Sequence, residues 1–115
     1  MTELMTSIEQ IVRAAGDMMR TAFNAPDRPA YSMKGQQDYL TVTDGAVEQF
    51  VREQIARRFP GDGVLGEEAG GLVEGPRLWI VDPIDGTANF ARQIPHFCIS
   101  LGLMVDGVME AGAIY

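Results

Sequence analysis

The sequence predicts an α+β domain in which two N-terminal helices pack on a mostly antiparallel sheet. Three observations predict it. Two apolar stripes at helical spacing fill positions 4–59. Short apolar runs separated by glycine, proline and aspartate fill the remainder. Asp106-Gly107 joins two of those runs in the manner of a tight hairpin.

The first helix is expected from about Thr2 to Phe23. Leu4, Ile8, Ile11, Val12, Ala15, Met19, Ala22 and Phe23 recur at spacings of three and four, which places them on one face. The helix stops near Asn24, ahead of Pro26 and Pro29. From Asn24 to Tyr39 the chain is polar and rich in turn formers, including Lys34, Gly35 and Asp38, and reads as a loop or mobile arm. Thr43 or Asp44 is the expected N-cap of a second helix whose stripe is Val47, Phe50, Val51, Ile55 and Phe59. Arg57 and Arg58 suit its last turn and Pro60-Gly61 ends it.

Val64-Leu65 is a very short strand leading into Gly66-Glu67-Glu68, and Ala69 to Pro76 reads as a loop. Leu78 to Val81 is continuously apolar, as a central strand should be. Phe97 to Val105 and Val108 to Tyr115 form the hairpin around Asp106-Gly107. The order of elements reads as a cut through a larger sheet, and a free edge on the last strand invites pairing with another copy, so a homodimer is expected.

Nine Lys and Arg against sixteen Asp and Glu give a net charge of −7, a poor balance for a nucleic-acid binder. One cysteine, Cys98, excludes an intramolecular disulfide framework and a Cys-rich zinc site. The N-terminus lacks the basic start and apolar run of a signal peptide, and no apolar stretch is long enough to span a bilayer. The expectation is a soluble, cytoplasmic protein without membrane or nucleic-acid partners.

The segment from Trp79 to Phe90 carries the chemistry. A buried strand delivers Asp82, Pro83 stops it, and Asp85 follows across a turn closed by Gly86. Two carboxylates aimed at one point repel unless a proton or cation lies between them, and Mg²⁺ is the usual hard cation for oxygen ligands. A short helix from Thr87 or Ala88 would turn the N–H groups of Gly86, Thr87 and Ala88 outward towards an anion. Such a combination suits a phosphate monoester. Glu67 and Glu68 add acidic groups at the end of the neighbouring strand. On local chemistry alone, a plain Asx-Pro turn at Asp82–Gly86 and a solvated Glu67-Glu68 loop remain the alternatives. An EF-hand loop fails, because Val81 falls where its first acidic ligand belongs. His96 and Cys98 share a strand face and read as core residues rather than a nucleophile pair, and Trp79 reads as core.

Gly66-Glu67-Glu68, Trp79-Ile80-Val81 and Asp82-Pro83-Ile84-Asp85-Gly86-Thr87-x-Asn89-Phe90 together resemble the inositol monophosphatase family. These are Mg²⁺-dependent, lithium-sensitive phosphomonoesterases related to fructose-1,6-bisphosphatase. Lys34-x-x-x-Asp38-x-x-Thr41-x-Thr43-Asp44 is similar to the family's upstream segment, and Phe97 to Tyr115 to the strand pair after the motif.

The resemblance implies the N-terminal, metal-binding part of a layered αβαβα sugar-phosphatase fold over residues 1–115. The family's chain is more than twice as long. Its substrate-binding half, with a Trp-Asp-x-Ala-Ala-Gly-type segment, has no counterpart in this sequence. The resemblance implies two or three Mg²⁺ ions. Glu67, Asp82 and the Ile84 carbonyl would hold the first and Asp82 with Asp85 the second, while Glu67 reaches a weaker third through water. Thr87, paired with Asp44, would position and help deprotonate the attacking water, with Glu67 also catalytic. Asp85 and the Gly86 and Thr87 amides would bind the substrate phosphate. Glu68 would stand behind the ligands, and Lys34 and Asp38 would sit on an arm closing over the metals. The implied activity is hydrolysis of a small phosphorylated polyol or sugar. Inositol phosphates, histidinol phosphate, fructose bisphosphate and nucleotide 3′-phosphates all have relatives with this motif. A non-catalytic binding or regulatory module on the same fold is the alternative.

Overall fold

The computed structural model describes residues 2–25, 31–35, 38–66, 70–71 and 75–115. Helix α1 spans Glu3–Phe23, and the Thr2 hydroxyl caps it by accepting from the Met5 N–H at 3.2 Å. Its expected stripe is the buried one: Ile8, Ile11, Val12, Ala15 and Met19 are all almost fully enclosed.

The segment expected as a loop instead holds a hairpin. Strand β1 (Tyr31–Gly35) pairs antiparallel with β2 (Asp38–Thr41), Met33 opposite Tyr39, with a register irregularity before Gly35. Tyr31-Ser32-Met33-Lys34 alternates apolar with polar over only four residues, and this ribbon forms a two-stranded sheet of its own rather than joining the main one. Helix α2 (Val42–Arg58) starts directly after it. Thr43 and Asp44 therefore do not cap α2 but lie buried within its first turn.

The main sheet has the order β4-β3-β5-β6-β7. Its strands are β3 (Gly63–Gly66), β4 (Gly70–Gly71), β5 (Arg77–Asp85), β6 (Cys98–Val105) and β7 (Val108–Ile114). Only β3 and β5 run parallel; every other neighbouring pair is antiparallel. The two residues of β4 interrupt the expected 69–76 loop. Strand β5 is central, as its unbroken apolar run requires, but it does not stop at Pro83. It continues through a bulge to Asp85. The β6–β7 turn places Asp106 and Gly107 at φ 50° and 81°, the two left-handed residues of a type I′ hairpin.

Trp79, Val81, Ile99, Leu101 and Leu103 form one continuous core with the stripes of α1 and α2. Burying each such side chain contributes about 1.5–3 kcal/mol. Two polar contacts close the end of the sheet opposite the motif. The Trp79 indole N–H donates to Asp62 Oδ2 at 2.8 Å, and the Arg77 Nε donates to the same oxygen at 3.0 Å. Trp79 also stacks on Phe59, ring centroids 4.9 Å apart.

Trp79 is completely buried, so Asp62→Ala would leave its N–H without this acceptor. We expect a loss of about 1–3 kcal/mol, read as a lower urea midpoint at unchanged slope.

Candidate active site

Strand β5 pairs Asp82 with Ser100 and Asp85 with Cys98. Three steps along β5 thus face two along β6, so one extra residue sits at Pro83-Ile84. Residues three apart on a regular strand point to opposite faces. The extra residue resets the alternation and brings both carboxylates to the face shared by Ser100 and Cys98. Proline is tolerated there because a bulge leaves a backbone position outside the ladder.

The surroundings agree. Cys98 Sγ stands 4.0 Å from Asp85 Oδ2, as donor to it. Partial burial, and next the Asp85 and Asp82 carboxylates, push the Cys98 thiol above the ordinary thiol range. Asp85 is exposed, whereas Asp82 is half-buried. Asp82 Oδ1 is fully enclosed and accepts no hydrogen bond, although the side chain is engaged elsewhere.

Beyond Asp85 the chain turns at Gly86, φ 94°, into the short helix α3 (Thr87–Ala91). A side chain at Gly86 would also stand 2.9 Å from the His96 carbonyl oxygen. The Asn89 side chain donates to that same carbonyl at 2.8 Å, tying α3 to the approach to β6. The Thr87 hydroxyl lies 2.8 Å from Asp44 Oδ1 and 2.8 Å from the Ile84 carbonyl oxygen. Asp44 is fully buried, so the first turn of α2 delivers a carboxylate directly to the start of α3.

The structure therefore brings together Asp44, Asp82, Ile84, Asp85, Gly86 and Thr87 from the sequence-derived set. Glu67 and Glu68 lie outside the described residues. Among the described residues no three acidic, histidine or cysteine side chains converge as a metal cluster. The donors that do gather are two carboxylates and a backbone carbonyl, all hard oxygens. Mg²⁺ characteristically takes one or two carboxylates and keeps several waters, so this set fits it as a partial coordination shell.

His96 departs from its expected core role: it is exposed and precedes β6 rather than lying on it. It lines a hollow of about 380 Å³ with Asp85, Gly86, Asn89, Phe97 and Cys98. Trp79 is core, as expected. The sequence reading missed Glu48, buried on α2 one turn beyond Asp44. The signal was present: a carboxylate between Val47 and Val51 lies on the apolar face of the helix.

Comparison with known proteins follows the same residues. The model of the inositol monophosphatase family matches residues 1–115. The inositol-1-monophosphatase of Rhizobium meliloti is 35% identical over 97% of this chain and 43% of its own length. The Nus factor SuhB of Escherichia coli K12 is 32% identical over 90% of this chain and 39% of its own. Among solved structures, the extragenic suppressor protein suhB of Bartonella henselae superposes with a TM-score of 0.93 at 30% identity, covering 99% of this chain and 45% of that one. SaIMPase-II with inositol monophosphate bound gives 0.77 at 30% identity, covering 99% and 40%, and the inositol monophosphatase-II of Staphylococcus aureus gives 0.78 at 30%, covering 99% and 42%. This chain thus spans less than half the length of these relatives.

Two outcomes are expected. Gly86→Ala meets both a left-handed backbone and a carbonyl oxygen, and should cost about 1–2 kcal/mol or more in urea denaturation. Alkylation of Cys98, the single thiol, should reach half its maximal rate at a higher pH than a free cysteine does. Asp85→Asn should move that profile back down, and an unmoved profile would place the two groups apart.

Proposed function

The chain belongs to the inositol monophosphatase family, and on that premise we propose that the complete protein is a Mg²⁺-dependent phosphomonoesterase acting on inositol monophosphate or a related small polyol or sugar phosphate. The observation that carries the reading is the Thr87 hydroxyl 2.8 Å from a buried Asp44, beside a bulge that turns Asp82 and Asp85 to one face. SaIMPase-II with inositol monophosphate bound supports the substrate class.

In this reading Asp82, Asp85, the Ile84 carbonyl and Glu67 hold two or three Mg²⁺ ions. When bound, the cations polarise the phosphoryl oxygens and make the attacking water easier to deprotonate. The chain's own groups do the rest. Thr87 donates its single proton to Asp44, which leaves the hydroxyl oxygen free to accept from a water and orient its lone pair. Asp44 is the terminal acceptor of that relay. Gly86 lets the turn bring its own amide and that of Thr87 against the substrate phosphate. The enzyme is expected as a cytoplasmic homodimer; among the described residues no helix is long and apolar enough to cross a membrane.

A second reading is favoured by the E. coli relative, whose name is that of a Nus factor: a binding or regulatory module that keeps the fold. The two separate on phosphate release by the complete protein. Robust Mg²⁺-dependent turnover of inositol 1-phosphate supports the enzyme, and none supports the module. Within the enzyme reading, Asp85→Asn should abolish most of the turnover at moderate Mg²⁺. Thr87→Ala should lower kcat by about a hundredfold or more while Thr87→Ser retains most of it. Near-normal turnover of either Asp85→Asn or Thr87→Ala would refute the assigned roles.

A further inference from the structure

Glu48 takes no part in the roles assigned above, yet it is only 2% exposed. Its Oε2 accepts from Arg52 Nε at 3.2 Å, one helical turn on, and the Arg52 side chain is itself only 23% exposed. The pair packs directly on the backbone of Gly66, the last residue of β3. A Cβ built at Gly66 would overlap the Glu48 carboxyl and stand 2.8 Å from Arg52 Nη2. Gly66 in turn pairs in register with Val81, the residue before Asp82. Helix α2 therefore sends two buried carboxylates, four residues apart and on one face, to the same end of the sheet. Asp44 reaches the start of α3 and Glu48 reaches the end of β3.

Burying an ion pair is seldom a net gain over apolar side chains of similar volume. A pair kept at such a place calls for another reason, and its contact supplies one. We propose that Glu48 is a positioning residue of the metal site: locked to Arg52, it fixes Gly66 and, through the register of Gly66 with Val81, the part of β5 that carries Asp82. The inference rests on the proposed Mg²⁺ reading, in which Asp82 is a ligand. The hydrogen-bonded carboxylate and guanidinium lie against Gly66 where a Cβ would overlap them, so a larger residue there has to displace the pair. Flexible apolar side chains would fill the same volume without fixing the strand end.

The test is calorimetric titration of the complete protein with Mg²⁺ alone, alongside thermal unfolding of each variant. Glu48→Gln and Gly66→Ala should each weaken Mg²⁺ binding about tenfold. Combined, they should weaken it little further, because both release the same contact. If Glu48→Gln prevents folding, the apolar double variant Glu48→Met with Arg52→Leu serves instead. It should keep or raise the melting temperature and still lose about tenfold in Mg²⁺ affinity. A merely structural pair would move the two readouts together. Mg²⁺ affinity within twofold of the parent in folded Glu48 variants, while Asp82→Asn abolishes binding, overturns the positioning role and leaves the metal reading intact. A parent that binds no Mg²⁺ overturns both.

Discussion

Between Asp82 and Asp85 strand β5 takes three steps while β6 takes two, from Ser100 to Cys98, and the site depends on that mismatch. Without the extra residue the two carboxylates would face opposite sides of the sheet. With it they share a side, close enough to Cys98 for both to act on its thiol. Proline belongs at this point for a physical reason. A central strand has ladder partners on both sides, and Pro83 can be accommodated only where the ladder is already broken. The same break gives the Ile84 carbonyl a partner outside the sheet, the Thr87 hydroxyl.

Helix α2 is the second half of the construction. Its buried face is mixed, with Thr43, Asp44 and Glu48 enclosed alongside Val47, Val51 and Ile55. The apolar members dock the helix on the sheet. The acidic members fall at its N-terminal end, nearest α3 and the end of β3. The aromatic residues anchor what the helix reaches. Phe23 packs against Phe90 and Phe97, with ring centroids 5.8 and 5.0 Å apart, and Phe90 meets Phe97 edge-on at 5.0 Å. That cluster joins the end of α1, the body of α3 and the approach to β6. The short α3, unable to stand alone at five residues, is held by Phe90 in the aromatic cluster and by Thr87, which meets Asp44 at its start.

Much of this was legible in the sequence because the relevant signals are local. The stripe from Leu4 to Phe23 has one period and one capping residue at each end. Asp106-Gly107 carries the backbone demands of a two-residue turn in its own composition. The bond between Thr87 and Asp44 was legible only through family resemblance, since the two residues are 43 positions apart. The β1–β2 hairpin was missed: Tyr31-Ser32-Met33-Lys34 does alternate, but over four residues only, among turn formers such as Pro26, Pro29, Gly35 and Asp38. The continuation of β5 past Pro83 was also missed. Proline reads locally as an end, and only the register of β6 shows it to be a bulge. Glu48 was overlooked for the opposite reason: a charge within an apolar stripe looks like noise until a glycine is found packed beneath it.

The order Ile84-Asp85-Gly86-Thr87 also decides where a proton goes. Thr87 has one hydroxyl proton and two acceptors, each at 2.8 Å. At rest it must be shared between the Asp44 carboxylate and the Ile84 carbonyl. Of the two the carboxylate is the stronger claimant, since a hydrogen bond to a charged acceptor is about twice as strong as one to a neutral acceptor. The hydroxyl oxygen then presents its lone pairs away from Asp44. The carbonyl belongs to the residue just before Asp85, so the hydroxyl stands within one turn of the acidic face. The hydroxyl and the carboxylates are held together by a four-residue turn. Gly86 is what keeps the turn short enough for it: with a left-handed backbone and a carbonyl oxygen 2.9 Å from where a side chain would begin, no larger residue closes the loop at this length without strain.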